Sequence, residues 1–167
     1  MKKYSNIIVT SSTSGISRIK LNEPKTYNAL SSKTLQSLIY IFKKLNKDKN
    51  TKVIIIEGSG NGFSAGHNLK EIKLLKKRNK YKKLFNLCSK LMLEIIEGKK
   101  PVIAKVHGAA FAAGCQLVAT CDLAVSSDDA IFATPGVNIG LFCSTPMVAV
   151  SRKVSRKKTM KMLLTGE

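Results

Sequence analysis

The sequence predicts an α/β fold built on a strand–helix–strand unit near the middle of the chain. Residues 102–106 form a run rich in β-branched residues, residues 115–121 form an apolar segment, and residues 123–125 form a second β-rich run. Two such runs separated by a helical segment are typical of parallel strands with a crossover helix. A stretch of small residues leads into the helix and allows another backbone to approach closely: Ala109, Ala110, Ala112, Ala113 and Gly114.

The N-terminal third predicts a hairpin, a helix and a buried strand. Residues 7–9 and 16–21 read as strands joined by the turn SSTSG, and residues 53–56 read as a buried strand. Between them, apolar residues recur at helical spacing from Leu35 to Leu45. Ser31 or Ser32 is suited to cap this helix, because a serine hydroxyl accepts a hydrogen bond from a free NH of the first turn.

The middle of the chain predicts a glycine-rich turn followed by two helices. The turn GSGNGFSAG lacks the third glycine of a dinucleotide fingerprint and the closing Lys-Ser/Thr of a P-loop. A polar helix is expected over residues 68–78. A second helix is expected over residues 81–97, with Gly98 ending it.

The C-terminal third predicts a short strand, a loop and a helix. Residues 130–134 read as a strand that turns at Pro135-Gly136. Residues 140–147 contain few charges, and we expect a loop that faces the core or a pocket. A final helix is expected over residues 157–164, closed by Gly166.

The composition indicates one folded domain with an unusually basic surface. The chain has 167 residues, 44% of them hydrophobic, and 29 Lys and Arg against 10 Asp and Glu, a net charge of +19. Such a charge suggests nucleic acid as a partner. However, aromatic residues make up only 6%, and neither a helix-turn-helix nor a zinc-finger spacing occurs. We therefore expect a lysine-biased surface with some affinity for phosphorylated ligands, and we rank nucleic-acid binding last.

The cysteines and the apolar tracts predict neither a metal site nor a membrane span. Cys88, Cys115, Cys121 and Cys143 never approach CxxC spacing and have apolar neighbours, which predicts buried reduced thiols. Charged and polar residues interrupt the longest apolar tract. The opening MKKYSNIIV enters a strand pattern almost at once and does not resemble a presequence.

Two strand-to-helix turns, at residues 62–69 and 107–117, each expose backbone NH groups at the start of a helix. Two converging NH groups form an oxyanion hole, which stabilises an enolate formed beside a carbonyl. This prediction requires the two turns to be adjacent in space.

Four motifs identify a family resemblance that covers nearly the whole chain. They are LNEPKTYNALS, KVIIIEGSGNGFSAGHNLKEI, KPVIAKVHGAAFAAGCQLVATCDLAVSSDDAIFATPGVNIGLF and MLLTGE. In this order and spacing they resemble the crotonase (enoyl-CoA hydratase/isomerase) superfamily. The resemblance implies a crotonase-like spiral of repeated ββα units, with residues 1–167 as its N-terminal, CoA-binding domain. The helices that usually follow MLLTGE and build the trimer are missing, so a truncated product or a short isoform is expected.

The resemblance also implies the site. The backbone NH groups of His67 and Ala113 would hold a thioester oxygen, with coenzyme A entering as part of the substrate and no separate cofactor. Tyr27 stands where many relatives have a basic residue, and Lys25 would reach a phosphate. The implied CoA-binding residues are Lys25, Tyr27, Ala29, Ala65, His67, Asn68, Leu69, Lys70 and Ala113.

The chain departs from the hydratases of the family at both catalytic glutamates. Gln116 and Gly136 occupy those positions, and neither exchanges a proton at neutral pH. Since each proton-transfer group typically contributes about 10²–10⁴ in rate, efficient hydration is not expected. An isomerase would need an acid near Ser144. Decarboxylation of a malonyl-type CoA needs no base, because the loss of CO₂ itself creates the enolate. This lyase reaction is therefore still possible without the two glutamates.

Several other side chains have two interpretations. His67 would position a substrate carboxylate or would be a surface histidine beside a helix start. His107 is expected to be structural, and Asp122 is expected to cap or pair within the fold. Cys143, Ser144 and Thr145 are candidates to line an acyl pocket, although no base for a nucleophile is apparent.

Three functions therefore compete. The first is a lyase-type acyl-CoA enzyme of acyl-CoA metabolism, and the second is a non-catalytic CoA-binding or subunit-interaction protein. The third is a basic nucleic-acid binder. The resemblance implies a mitochondrial location, although the sequence leaves the cytoplasm open, and it implies a homotrimer or hexamer that needs the missing helices.

Overall fold

The computed structural model describes residues 6–167 and contains seven strands in this range. The strands are β1 (Ile7–Ser11), β2 (Ile16–Leu21), β3 (Val53–Gly58), β4 (Val102–Val106), β5 (Ala109–Phe111), β6 (Leu123–Ser126) and β7 (Ile131–Ala133). The α-helices are α1 (Ser32–Lys47), α2 (Leu69–Leu74), α3 (Arg78–Ile96), α4 (Ala113–Thr120), α5 (Ser144–Val150) and α6 (Arg156–Thr165). Two 3₁₀ helices cover Pro24–Thr26 and Pro135–Ile139.

A five-stranded sheet in the order β1-β2-β3-β4-β6 forms the centre of the fold. The β1–β2 hairpin is antiparallel, as predicted, and the other pairs are parallel. The crossover through α4 makes β4 and β6 neighbours, which confirms the predicted strand–helix–strand unit. Ile54, Ile56 and Ala104 are fully buried, because alternate residues of a strand share one face of the sheet.

A second, smaller sheet repeats beside the first. Strands β5 and β7 pair in parallel, and single bridges at Gly62 and Ser64 add the turn after β3 to the same layer. Each of β3, β4 and β6 is thus followed by a short extended segment of the second layer. This is the repeated two-strand unit that the family resemblance implied.

Helices α1 and α3 pack together over the central sheet. The Ser31 hydroxyl accepts a hydrogen bond from the Thr34 NH at 3.2 Å, so Ser31 is the cap. Leu38 and Phe42 are fully buried, and Leu91 of α3 belongs to the same cluster. Burial of each such side chain stabilises the fold by about 1.5–3 kcal/mol.

The predicted helix over residues 68–78 is wrong at its C-terminal end. Helix α2 stops at Leu74, and α3 begins at Arg78, three residues earlier than expected. Leu75 leaves the helical conformation at ψ 104° and packs against the core. This tertiary contact decides the break, and the like charges of Lys73, Lys76 and Lys77 give the helix no reason to continue.

The C-terminal loop and the central turn also differ from expectation. Helix α5 starts at Ser144, inside the predicted loop, because Pro146 falls in its first turn, where proline is tolerated. Leu141 and Phe142 in the preceding loop are exposed rather than facing the core. Residues 109–111, expected to be part of a turn, form β5 because β7 pairs with them.

Strand β6 leaves an apolar edge on the central sheet. It pairs only with β4 among the described strands, and its four residues are exposed. Leu123 is 63% exposed and Val125 is 64% exposed. An unpaired apolar strand edge is a template for association with another chain.

The four cysteines are free and buried, as their apolar neighbours predicted. Burial raises the pKa of the thiols of Cys88, Cys115 and Cys121 to about 12. Within residues 6–167, no cluster of His, Cys, Asp and Glu is arranged to hold a metal ion. None of the helices in that range has both the length and the apolar character needed to cross a bilayer.

Candidate active site

The two turns that the sequence singled out lie side by side. The Ser64 NH donates to the Ala109 carbonyl at 3.0 Å, and the Phe111 NH donates to the Ser64 carbonyl at 2.9 Å. Gly66 adopts φ +87°, and a Cβ there would lie 2.8 Å from the Phe111 carbonyl oxygen and 2.9 Å from the Ala113 nitrogen. Only glycine allows this approach, so the adjacency that the oxyanion-hole prediction required is present.

A third segment borders the same turns. The Ala65 NH donates to the Tyr27 carbonyl at 2.8 Å, and the Leu30 NH donates to the Gly66 carbonyl at 2.7 Å. The Asn28 amide holds this segment in place, because it donates to the carbonyls of Ser59 and Gly62 at 2.8 and 2.9 Å. The predicted residues Tyr27, Ala29, Ala65, His67 and Ala113 therefore belong to three hydrogen-bonded, neighbouring segments.

Helix α4 starts from a strained residue. Ala112 has φ 48° and ψ −116°, and its NH donates to the Ala133 carbonyl of β7 at 2.9 Å. A non-glycine residue in this region costs about 1–3 kcal/mol and persists only where its surroundings require it. Ala113 follows as the first helical residue.

Two backbone donors of these turns are unused. Within residues 6–167, the NH groups of His67 and Ala113 make no hydrogen bond to another backbone group. The Ala113 NH is the first of α4, where NH groups lack internal partners and carry the positive end of the helix dipole, whereas the His67 NH lies just before Asn68, the cap of α2. Each of the two turns therefore offers a donor for an anion or a polarised carbonyl oxygen.

The His67 ring is buried against α3. Its edge faces the Phe85 ring, with centroids 5.2 Å apart and an interplanar angle of 88°. Both ring nitrogens are buried and meet the geometry of no hydrogen bond in the described chain. Burial lowers the His67 pKa, although the Leu30 carbonyl and Glu71 oppose this decrease. His67 is therefore a half-buried residue whose ring nitrogens are covered, rather than a fully exposed surface histidine.

Helix α2 connects the site to the start of α1. The Asn68 side chain caps α2 by accepting a hydrogen bond from the Glu71 NH at 3.1 Å. The Glu71 carboxylate accepts one from the Ser32 NH at 2.9 Å. Leu69 and Lys70 on α2 are exposed, as is Lys25 of the first 3₁₀ helix.

The two positions of the missing glutamates have different surroundings. Gln116 is buried in α4, and the Cys88 thiol lies 3.9 Å from its Oε1. A Cβ at Gly136 would overlap the Leu141 carbonyl oxygen and lie 2.7 Å from the Cys143 sulfur. A longer side chain at position 136 therefore requires the backbone to rearrange.

The remaining predicted residues mostly support the fold. His107 Nε2 lies 2.7 Å from the Gly60 carbonyl oxygen, and the Asp122 carboxylate accepts a hydrogen bond from the Val102 NH at 2.8 Å. Both were expected to act structurally. Cys143 is buried beside Gly136, and burial raises its thiol pKa. Ser144 and Thr145 lie in the first turn of α5.

Sequence reasoning missed two residues. Phe85 reaches His67 from another helix, and no local pattern distinguishes it from other apolar residues of α3. Asn28 had a usable signal, because asparagine tolerates a positive φ and stands at φ 52° between the proline turn and α1.

A comparison with protein families decides the assignment. A model of the family described as enoyl-CoA hydratase/isomerase matches residues 11–167. The chain belongs to the enoyl-CoA hydratase/isomerase family. The resemblance predicted from the motifs is thereby confirmed.

Curated relatives of this family member span the same region at high identity. Human "Enoyl-CoA hydratase domain-containing protein 3, mitochondrial" is 52% identical over 153 residues, which cover 92% of the chain and 50% of the relative. The Xenopus laevis protein of the same name is 50% identical over 165 residues, 99% of the chain and 56% of the relative. The chain thus spans about half the length of these relatives.

Solved structures confirm the crotonase fold. An enoyl-CoA hydratase from Mycobacterium smegmatis matches with a TM-score of 0.95 and 48% identity, covering 97% of this chain and 63% of that one. Human enoyl Coenzyme A hydratase domain-containing protein 3 matches with a TM-score of 0.93 and 48% identity, covering 97% and 64%.

Proposed function

We propose that this family member binds an acyl-CoA thioester and stabilises the enolate formed beside its carbonyl. The observation that supports the proposal is the pair of unused backbone donors, at His67 and Ala113, on two hydrogen-bonded turns. In this proposal both NH groups donate to the thioester oxygen. Tyr27, Ala29, Ala65 and the start of α2 border the coenzyme, and Lys25 and Lys70 face its phosphates.

Backbone donors fixed by the fold are suited to this task. They need no reorganisation as negative charge develops on the oxygen, and loss of one such donor typically costs about 10²–10³ in rate. The Ala112 conformation, held by its hydrogen bond to Ala133, fixes the direction of the Ala113 NH. The strain at Ala112 is then a cost of presenting that donor.

Decarboxylation of a malonyl-type CoA is the reaction that these residues favour. The bond between the α-carbon and the substrate carboxylate breaks, and CO₂ leaves. The electron pair of the broken bond moves into the enolate, whose oxygen accepts hydrogen bonds from the NH groups of His67 and Ala113. The α-carbon then takes a proton from water. The buried His67 ring, neutral because its pKa is lowered, donates one NH to the carboxylate before cleavage.

Hydration of an enoyl-CoA is not part of the proposal. Gln116 and Gly136 supply no group that exchanges a proton at neutral pH. Each such group typically contributes about 10²–10⁴ in rate, and the two losses do not simply multiply. Restoring one acid by Gln116→Glu should leave hydration undetectable, because position 136 still lacks its partner.

A non-catalytic role in subunit interaction is the second candidate. This candidate is favoured by exposed apolar residues in two places. Leu123 and Val125 lie on β6, and Leu141 and Phe142 lie in the loop just before α5. Large exposed apolar areas mark interaction sites in proteins that are otherwise well packed. In this case acyl-CoA binds without turnover, and the chain associates with itself or with longer relatives.

A mitochondrial location is proposed from the relatives. The human and Xenopus laevis proteins carry "mitochondrial" in their names. We also propose, from the same family relationship, that the protein acts in acyl-CoA metabolism.

Calorimetric titration with acetyl-, crotonyl- and methylmalonyl-CoA, followed by product analysis of the same mixtures, tests the proposal. We expect binding of all three, conversion of methylmalonyl-CoA to propionyl-CoA and CO₂, and no hydration of crotonyl-CoA. Binding without turnover would select the subunit-interaction role. Hydration of crotonyl-CoA at rates typical of hydratases, or no CoA binding, would contradict the proposal.

A matched ligand tests the oxyanion contact itself. The thioether analogue of acetyl-CoA has a methylene in place of the carbonyl and otherwise keeps every CoA contact. If the two NH groups hold the thioester oxygen, the thioether should bind about 5- to 150-fold more weakly, since two neutral hydrogen bonds together contribute about 1–3 kcal/mol. Equal affinity would show that the oxygen is not held there.

A further inference from the structure

The segment from residue 70 to residue 83 is the most basic part of the chain. Its sequence, KEIKLLKKRNKYKK, holds eight of the 29 Lys and Arg residues and a single acidic residue, Glu71. All eight basic residues are exposed. The Glu71 carboxylate already accepts a hydrogen bond from the Ser32 NH, at the start of α1. A uniform lysine bias does not explain so dense a cluster, which we call the basic segment.

Folding does not account for the charges of the basic segment. Among the described residues, none of its eight cations forms an ion pair with a carboxylate. Lys77, Arg78 and Lys80 surround the N-terminus of α3, whose first turn contains no acidic residue. The helix dipole disfavours cations at that end. The arrangement lowers the stability of the fold, so it calls for a partner that supplies the negative charge.

An apolar side chain projects from the middle of these charges. Leu74 is 75% exposed, more than any other large hydrophobic residue of the described chain. It lies at the end of α2, where its neighbours Ile72 and Leu75 pack against the core. The chain therefore turns two apolar side chains inward and leaves the third in solvent among the cations.

We infer that the basic segment docks on the surface of an anionic phospholipid bilayer. Lysine and arginine clusters next to exposed apolar side chains are typical of such contacts, which need no membrane-spanning helix. The seven cations after Lys70, which the proposed function assigns to coenzyme A, lie over the headgroups. Leu74 enters the boundary between headgroups and acyl chains. Single-stranded nucleic acid is the less suitable polyanion, because its bases stack on exposed aromatic rings. The residue that projects from the basic segment is aliphatic, whereas its one aromatic residue, Tyr81, is half-buried and the nearby Phe85 ring packs against His67.

Vesicle sedimentation with the full chain tests this inference. The vesicles contain phosphatidylcholine and phosphatidylserine at about two to one, at an ionic strength of about 0.15 M. We expect binding to these vesicles and none to pure phosphatidylcholine. The triple variant Lys76→Gln, Lys77→Gln, Lys80→Gln should bind about 100-fold more weakly, because each surface cation contributes about fivefold. Leu74→Ser should lower the affinity by about tenfold.

Matched control variants distinguish binding through the basic segment from binding through the overall positive charge of the chain. Lys44→Gln, Lys49→Gln, Lys99→Gln removes the same charge near the other end of α1, about 24 Å from the end that contacts Glu71. Leu164→Ser removes an exposed leucine from α6. Both controls should keep vesicle affinity within about twofold.

Three results would overturn the inference. They are equal losses in the charge control and in the basic-segment variant, binding to neutral vesicles as strong as to anionic ones, and tighter binding to a single-stranded RNA than to the vesicles. Acyl-CoA titration of the same variants is an independent readout, since none of the substituted residues belongs to the proposed thioester site.

Discussion

Replacement of Gly66 by alanine tests whether the two turns are in contact. At φ +87° an L-residue costs about 1–2 kcal/mol. The new Cβ would also lie 2.8 Å from the Phe111 carbonyl oxygen and 2.9 Å from the Ala113 nitrogen. Overpacking of this kind costs about 1–3 kcal/mol. We therefore expect Gly66→Ala to lower the free energy of unfolding by about 2–5 kcal/mol.

Gly140 provides the matched control. It has a similar φ of +75°, but nothing lies within 4 Å of the position that its Cβ would occupy. Gly140→Ala should therefore cost only the backbone term, about 1–2 kcal/mol. Urea unfolding of both variants measures the difference, which should be about 1–3 kcal/mol. If Gly66→Ala is no less stable than Gly140→Ala, the close approach of the turns is refuted.

Two further predictions concern single side chains. Because burial lowers the His67 pKa below its ordinary value of 6.5, the unfolded chain takes up this proton first as the pH falls. The free energy of unfolding should then decrease below pH 6.5 by up to about 1.4 kcal/mol per pH unit until the folded pKa is reached, and His67→Gln should abolish that part of the slope in urea titrations at several pH values. An unchanged slope would contradict the burial of the ring. Asp122→Ala leaves the Val102 NH without its acceptor and should cost about 1–3 kcal/mol, whereas Asp122→Asn, which keeps an acceptor oxygen, should cost less than half of that. Equal costs in thermal unfolding would show that the hydrogen bond is not the stabilising contact.

Local patterns predicted the elements that local forces decide. The periodic apolar residues of α1 and the serine before it were enough to place that helix and its cap, because both signals lie within a few residues of each other. The β4–α4–β6 unit was predictable for a similar reason, since parallel strands need a crossover helix. The family motifs extended this to the whole spiral.

Features decided by distant contacts were not predictable. The end of α2 depends on Leu75 packing against the core, and the three-residue strand β5 depends on its pairing with β7. The burial of the His67 ring depends on Phe85 from another helix. The candidate site shares this property, because the sequence supplied both turns but only the fold brings Gly66 against Ala113.

The open edge of β6 has a consequence for the behaviour of the chain in solution. With a net charge of +19, mutual repulsion keeps molecules apart at low ionic strength. Added salt shortens the range of that repulsion, to about 3 Å at 1 M. Two molecules can then approach until their β6 edges touch, where Leu123 and Val125 are exposed to water. The protein should therefore stay dispersed in dilute buffer and self-associate as salt is raised, the opposite of proteins held together by surface ion pairs.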